Sequence, residues 1–113
     1  MHMMEHLQRF FEEMDEFVYI SDIKTHQLVY MNRRMRASLG YQRSEDYAGK
    51  LCYKVLQGSA QPCAFCNNHQ LKEGQFLSWV HKNPVFNKRY LIKDSLLTDG
   101  DRSYRIEVAV DVD

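Results

Sequence analysis

The last third of the chain constrains the fold most. From Arg102 to Val112, Tyr104, Ile106, Val108 and Val110 alternate with Arg105, Glu107 and Asp111. That is the two-residue period of a strand, and it predicts one buried face and one wet face. Thr98-Asp99-Gly100-Asp101 is a turn signal, and Arg89 to Leu97 before it reads as a second strand. Gln75 to Val80 reads as a third. His81-Lys82-Asn83-Pro84 is expected to weaken its end, because proline has no N–H to give to a ladder.

The first third carries a second β signal. Phe17-Val18-Tyr19-Ile20-Ser21-Asp22 is β-branched and aromatic, Lys24-Thr25-His26-Gln27 is a polar turn, and Leu28-Val29-Tyr30-Met31-Asn32 is a second apolar run. Together they predict a hairpin. Short helices fill the middle. Arg33 to Leu39 is expected to be helical with Gly40 as its stop, and Lys50 to Leu56 forms another between Gly49 and Gly58. A third is expected from about Ala64 to Leu71. Ahead of everything, Met4, Leu7, Phe11 and Met14 are spaced 3, 4, 3. This stripe belongs to a helix too short to stand alone, so it caps its own domain, meets a second copy of the chain, or does both. The order is helix, two strands, short helices, three strands, an α+β domain with one antiparallel sheet.

At 113 residues with fifteen acids against fifteen bases, the chain is one domain whose net charge names no partner. A nucleic-acid binder is usually markedly basic. No apolar run approaches the roughly 20 residues of a membrane span, and Met1-His2-Met3-Met4-Glu5-His6 does not read as a signal peptide. A cytoplasmic setting is therefore expected. No Gly-rich phosphate loop or His-Glu-x-x-His zinc motif is present, so an enzyme is not expected. Arg33, Arg34, Arg36 and Arg43 form a basic cluster read as a solvated helix face rather than an anion site. His2, His6, His26 and His81 are read most simply as surface residues.

All three cysteines lie close together, as Cys52-x10-Cys63-x2-Cys66, followed by His69. Three thiolates and an imidazole are soft donors suited to a tetrahedral ion such as zinc. The same spacing also suits a reversible Cys63–Cys66 disulfide, or three inert buried thiols beside a surface histidine.

Several local pieces then add up. Phe17 to Asp22 resembles the first strand of a PAS (sensory box) domain with its terminal aspartate, and Leu28 to Asn32 resembles the second strand ending in asparagine. The stretch Leu39-Gly40-Tyr41-Gln42-Arg43-Ser44-Glu45-Asp46-Tyr47-Ala48-Gly49-Lys50 is similar to the one that follows in that family. Val110-Asp111-Val112-Asp113 resembles the hinge that leads from a PAS domain into its effector, with Asp113 where Thr or Ser is commoner. The run Gly49-Lys50-x-Cys52-Tyr53-x-Val55-Leu56-x-Gly58, with Pro62-Cys63-x-x-Cys66, is similar to a bacterial PAS subgroup often placed before diguanylate cyclase (GGDEF) or histidine kinase modules.

The resemblance implies a five-stranded antiparallel sheet, with short helices on one face and a cavity between them. It divides the chain into an N-terminal helix, residues 1–15, and a sensor domain, residues 16–113. Inward candidates are Val18, Ile20, Met31, Met35, Leu39, Tyr53, Val55, Leu77, Trp79, Tyr90, Ile92, Ile106 and Val108. Of these Tyr53, Trp79 and Met35 are the expected ligand contacts, and Cys52, Cys63, Cys66 and His69 the candidate metal ligands. A haem reading through His69 is disfavoured by its polar neighbours Asn67, Asn68 and Gln70. A flavin light sensor is rejected because the reactive-cysteine stretch it needs is missing. The expected function is sensory: an unknown ligand, metal or redox event is passed to a C-terminal effector, with the N-terminal helix joining two copies. The alternative is a ligand-free dimerisation module.

Overall fold

A computed structural model describes residues 3–61 and 68–112. Helix α1 (Met3–Glu12) leads into strands β1 (Phe17–Asp22) and β2 (Leu28–Met31), helices α2 (Arg33–Leu39) and α3 (Cys52–Gln57), and strands β3 (Leu77–Asn83), β4 (Lys88–Asp99) and β5 (Arg102–Asp111). The five strands form one antiparallel sheet in the order β2-β1-β5-β4-β3. The N-terminal hairpin therefore joins the C-terminal strands through β1 and β5, as the PAS resemblance implies.

Local chemistry explains the element ends. Asp22 Oδ1 accepts from the N–H groups of Lys24 (2.8 Å) and Thr25 (3.1 Å), closing the β1–β2 turn. Gly40 and Gly58 end α2 and α3 in the left-handed region, at φ 78° and 65°, as C-terminal glycines do. Helix α3 starts two residues later than predicted. Lys50 O is taken by Leu28 N (2.7 Å) and Leu51 bridges Gln27, so these residues serve the edge of β2 instead of a helix. Strand β3 also runs further than predicted, through Asn83. Pro84 does not disturb it because the proline falls in the turn. There Asn83 Oδ1 accepts from Val85 N (2.8 Å) and Phe86 N (3.0 Å). Most of the helix expected over 64–71 lies outside the described residues, and Asn68–Gln70 form one 3₁₀ turn.

The expectation of a wet face on β5 is wrong. Ile20, Tyr30, Tyr104 and Ile106 pack together on the outer face with Phe11 of α1 against them. The opposite face, carrying Arg105 and Glu107, looks into the space under α2 and α3, and Arg105 is only 6 % exposed. Ile20 and Ile106 are therefore not cavity residues. Val18 and Val108, which alternate with Tyr19 and Glu107 in the same register, face away from the cavity with them. Alternation reports the polarity of a face, and charges that pair with one another can be buried.

Helix α1 is used as a cap. Phe11 packs on the sheet, and Glu12 makes a two-pronged ion pair with Arg36 (2.6 and 2.9 Å) while accepting from Tyr30 Oη (2.9 Å). Arg36 thus leaves the solvated basic cluster expected from the sequence and clamps α1 to α2. Arg33 adds an exposed pair to Glu13 (3.0 Å), worth little by itself.

Candidate functional site

The hairpin turn at Gly100-Asp101 sets Asp99 opposite Arg102. Counting back from it places Asp94 directly across from Glu107, and Glu107 lies across from Tyr19 on β1. One row of inward side chains thus reads Tyr19, Glu107, Asp94. The neighbouring row on one side is apolar, with Phe17, Ala109, Ile92 and Trp79 on four adjacent strands. On the other side Arg105 stands next along β5.

These side chains form one network. Arg105 Nη2 lies 2.8 Å from Asp94 Oδ2 and 3.3 Å from Glu107 Oε1. Arg105 Nε donates to Tyr19 Oη (3.3 Å), and Nη1 donates to Asn68 Oδ1 (2.9 Å). Tyr19 Oη donates to Glu107 Oε1 (3.2 Å), and Trp79 Nε1–H donates to Asp94 Oδ2 (2.7 Å). Asp94 is fully buried. A buried charge persists only when paired and hydrogen-bonded, and here one guanidinium faces two carboxyl groups. Burial first, and then the negative charge of Asp94, hold Glu107 well above the usual carboxylate range, against the opposing pull of Arg105. Burial and the nearby Glu107 likewise raise the Tyr19 phenol.

The network forms one end of a cavity between the sheet and α2, α3 and the Asn68 turn, with about 60 Å³ open to water-sized molecules. Met35, Tyr53 and Trp79 all line it, together with Cys52, Leu56, Gln57, Phe86 and Tyr90. His26 and His81 line it too, so they are not the plain surface residues expected. His81 Nε2 lies 3.0 Å from Gln57 Oε1, and burial lowers its pKa. Met31, Met35, Leu39 and Val55 pack with Tyr19 in the adjoining core.

The four candidate metal ligands fare unevenly. Cys63 and Cys66 lie outside the described residues. Cys52 is half-buried on the cavity wall with its Sγ 4.0 Å from Nδ1 of His26, a residue the sequence reading had set aside. His69 is exposed with its ring beside Gln70 (3.3 Å). Among the described residues no group of three His, Cys, Asp or Glu side chains is arranged to hold an ion.

Asp94, Arg105, Glu107 and Tyr19 were missed as site residues. A signal existed: Gly100-Asp101 as a two-residue turn fixes the β4–β5 register, and the register alone sets Asp94 against Glu107. The link from Arg105 to Asn68 had no such signal.

The two faces of the chain titrate in opposite directions. Between the ordinary carboxylate range and its own higher titration, Glu107 keeps a proton in the folded chain that the unfolded chain has lost. Stability therefore falls as pH rises through that window. Glu12 behaves oppositely. Its hydrogen bond to Arg36, against some burial, holds its carboxyl low, so its stabilisation is lost as pH falls through the carboxylate range. Glu107→Gln is expected to flatten the decline above about pH 5 while leaving the acid limb in place. Urea unfolding from pH 3 to 8, roughly spanning both ranges, measures it. An unchanged decline in the variant would exclude Glu107 as its source.

No family model matches this chain, and no curated protein does. Solved structures do. The PAS domain of BvgS from Bordetella pertussis superposes with a TM-score of 0.70 at 11% identity, over 97% of this chain and 86% of that one. The PAS domain of nitrogen regulation protein NR(II) from Vibrio parahaemolyticus gives 0.70 at 11%, over 94% and 97%. The PAS domain of an HTR-like protein from Haloarcula marismortui gives 0.64 at 13%, over 96% and 91%. The chain has the PAS fold. Among the described residues, no helix is long and apolar enough to cross a membrane.

Proposed function

We propose that this chain is a sensory PAS domain of a bacterial, cytoplasmic signalling protein. In this reading residues 1–15 supply a signalling helix and residues 16–113 the sensor body. A small ligand, or a metal or redox event at the cysteine segment, biases the sheet, and β5 carries the bias to a C-terminal effector of the diguanylate cyclase or histidine kinase kind. Tyr53, Trp79 and Met35 contact the ligand. Cys52, Cys63, Cys66 and His69 are the residues for a metal or redox event, with His26 added on the cavity side of Cys52. One observation carries the reading: β5 supplies Arg105, Glu107 and Ala109 to the cavity, and the same strand runs on to Asp111. A change of charge or packing at the site acts directly on the segment that resembles the effector hinge. Ligands shift such equilibria only by binding one state better than the other.

A second reading, a homodimer without ligand, is favoured by Phe10. It is 72% exposed on α1, although Phe11, on which the sequence argument leaned, is spent on the domain's own sheet. Native mass spectrometry of the purified chain tests both. The sensor reading expects an added small-molecule or metal mass, or one acquired from a metabolite library. Unliganded protein that binds nothing, in dimers that Phe10→Glu converts to monomers, would replace it with the dimer reading. Wild-type monomers at roughly tens of micromolar would end the dimer reading.

A further inference from the structure

Resting on the reading of the cavity as a ligand site, we infer that its occupant is a small alkylammonium ion, held by the Glu107 carboxylate with its alkyl part against Trp79 and the apolar row. The first argument is the charge count. Two carboxyl groups, Asp94 and Glu107, meet one guanidinium, and Arg105 lies closer to Asp94 (2.8 Å) than to Glu107 (3.3 Å). Glu107 is the acid that shares its cation, at the longer of the two distances. All three guanidinium nitrogens of Arg105 already face protein acceptors, on Tyr19, Asn68, Asp94 and Glu107. Most of the five guanidinium N–H groups are thus spent on the protein, which leaves Arg105 a poor anchor for an anionic ligand.

The second argument is the surroundings. The rings of Phe17, Trp79 and Tyr90 line the same space, and aromatic faces attract cations. Among the described titratable residues around Glu107, Asp94 of β4 is hydrogen-bonded to it and Arg105 of β5 is its one nearby cation. Tyr19 of β1 donates to Glu107, and Cys52 of α3 contributes no positive charge. His81 of β3 has its Nε2 against Gln57 and is held toward its neutral form by burial. His26 Nδ1 is turned to Cys52. The third argument is size. At roughly 10–15 Å³ for each water-sized group, about 60 Å³ has room for a short-chain amine such as butylamine.

The exchange balances. The ammonium enters carrying its charge, the Glu107 carboxylic acid releases one proton to solvent, and the net charge of the site is unchanged. Binding therefore tightens as pH rises toward 8, with one proton released for each ammonium bound.

The chain has a single tryptophan, Trp79, and it lines this cavity. Its fluorescence can be titrated with n-butylammonium, butan-1-ol and butyrate, which share a chain length and differ in charge. The expected result is saturable binding of n-butylammonium, at least about tenfold tighter than either comparator, weakening as the pH is lowered, and roughly tenfold or more weaker in Glu107→Gln. Butan-1-ol or butyrate binding as well as the ammonium would overturn the amine assignment while leaving the cavity as a ligand site. Equal ammonium binding in wild type and Glu107→Gln would overturn it too. Saturation by none of the three would overturn the amine assignment, and an empty metabolite screen alongside would remove the ligand reading with it.

Discussion

Asn32→Ala is expected to destabilise the domain by about 3–5 kcal/mol, among the largest costs for any single side chain here. Asn32 is fully buried at the end of β2, and its side chain has five hydrogen-bond partners. Its Oδ1 accepts from Val18 N and, as the cap of α2, from Met35 N, both at 3.2 Å. The two hydrogens of its Nδ2 are shared among the carbonyls of Phe11 (3.1 Å), Met14 (3.3 Å) and Glu16 (2.8 Å). One amide thus ties together α1, the linker after it, β1 and α2. Truncation leaves buried backbone groups without partners, and each such group costs roughly 1–3 kcal/mol where water cannot enter. Against a total of about 5–15 kcal/mol for a domain of this kind, that is a large share. Asn32→Asp keeps the acceptor but turns a carboxylate oxygen toward three carbonyls, so it should be at least as damaging. Urea unfolding of the two variants measures both. A loss below about 1 kcal/mol for Asn32→Ala would mean that water or a backbone shift replaces the amide.

Arg105→Met should rank beside it, at about 3–5 kcal/mol, because it strands two carboxyl groups in the cavity wall. Asp94→Asn should cost clearly less. With the Asp94 charge gone, Glu107 can ionise and take over the guanidinium 3.3 Å away. The two variants should also differ in pH response. The Arg105→Met protein must hold protons on its carboxyl groups to stay folded, so its stability should climb as pH falls from about 8 to 5, more steeply than in the wild type. Unfolding curves at those two pH values decide the matter. Equal costs, or a slope no steeper than the wild type's, would show that Glu107 does not substitute for Asp94.

The two predictions concern different kinds of residue, and the sequence was legible to different depths at each. Asn32 stood out as the asparagine ending the second strand, but its five partners come from 14 or more residues away in all but one case, and no local pattern names them. The ligand contacts expected on general grounds, Tyr53, Trp79 and Met35, do line the cavity. The polar row beside them escaped notice because Arg105, Glu107 and Asp94 look like the solvent side of a strand.

The element order, the two hairpins, the glycine stops of α2 and α3 and the antiparallel sheet follow from the sequence by itself. Each depends on side chains within a few positions of one another: period-two alternation, turn residues and left-handed glycines. What only the tertiary structure decided is which face of the sheet is which. Helix α1 covers the apolar face and the short helices cover the charged one. The same alternation would have suited a sheet with water on its polar side. Arg105, Asp94 and Glu107 are buried because long-range pairing gives each charge a partner, and pairing across strands and helices is not written in any single segment.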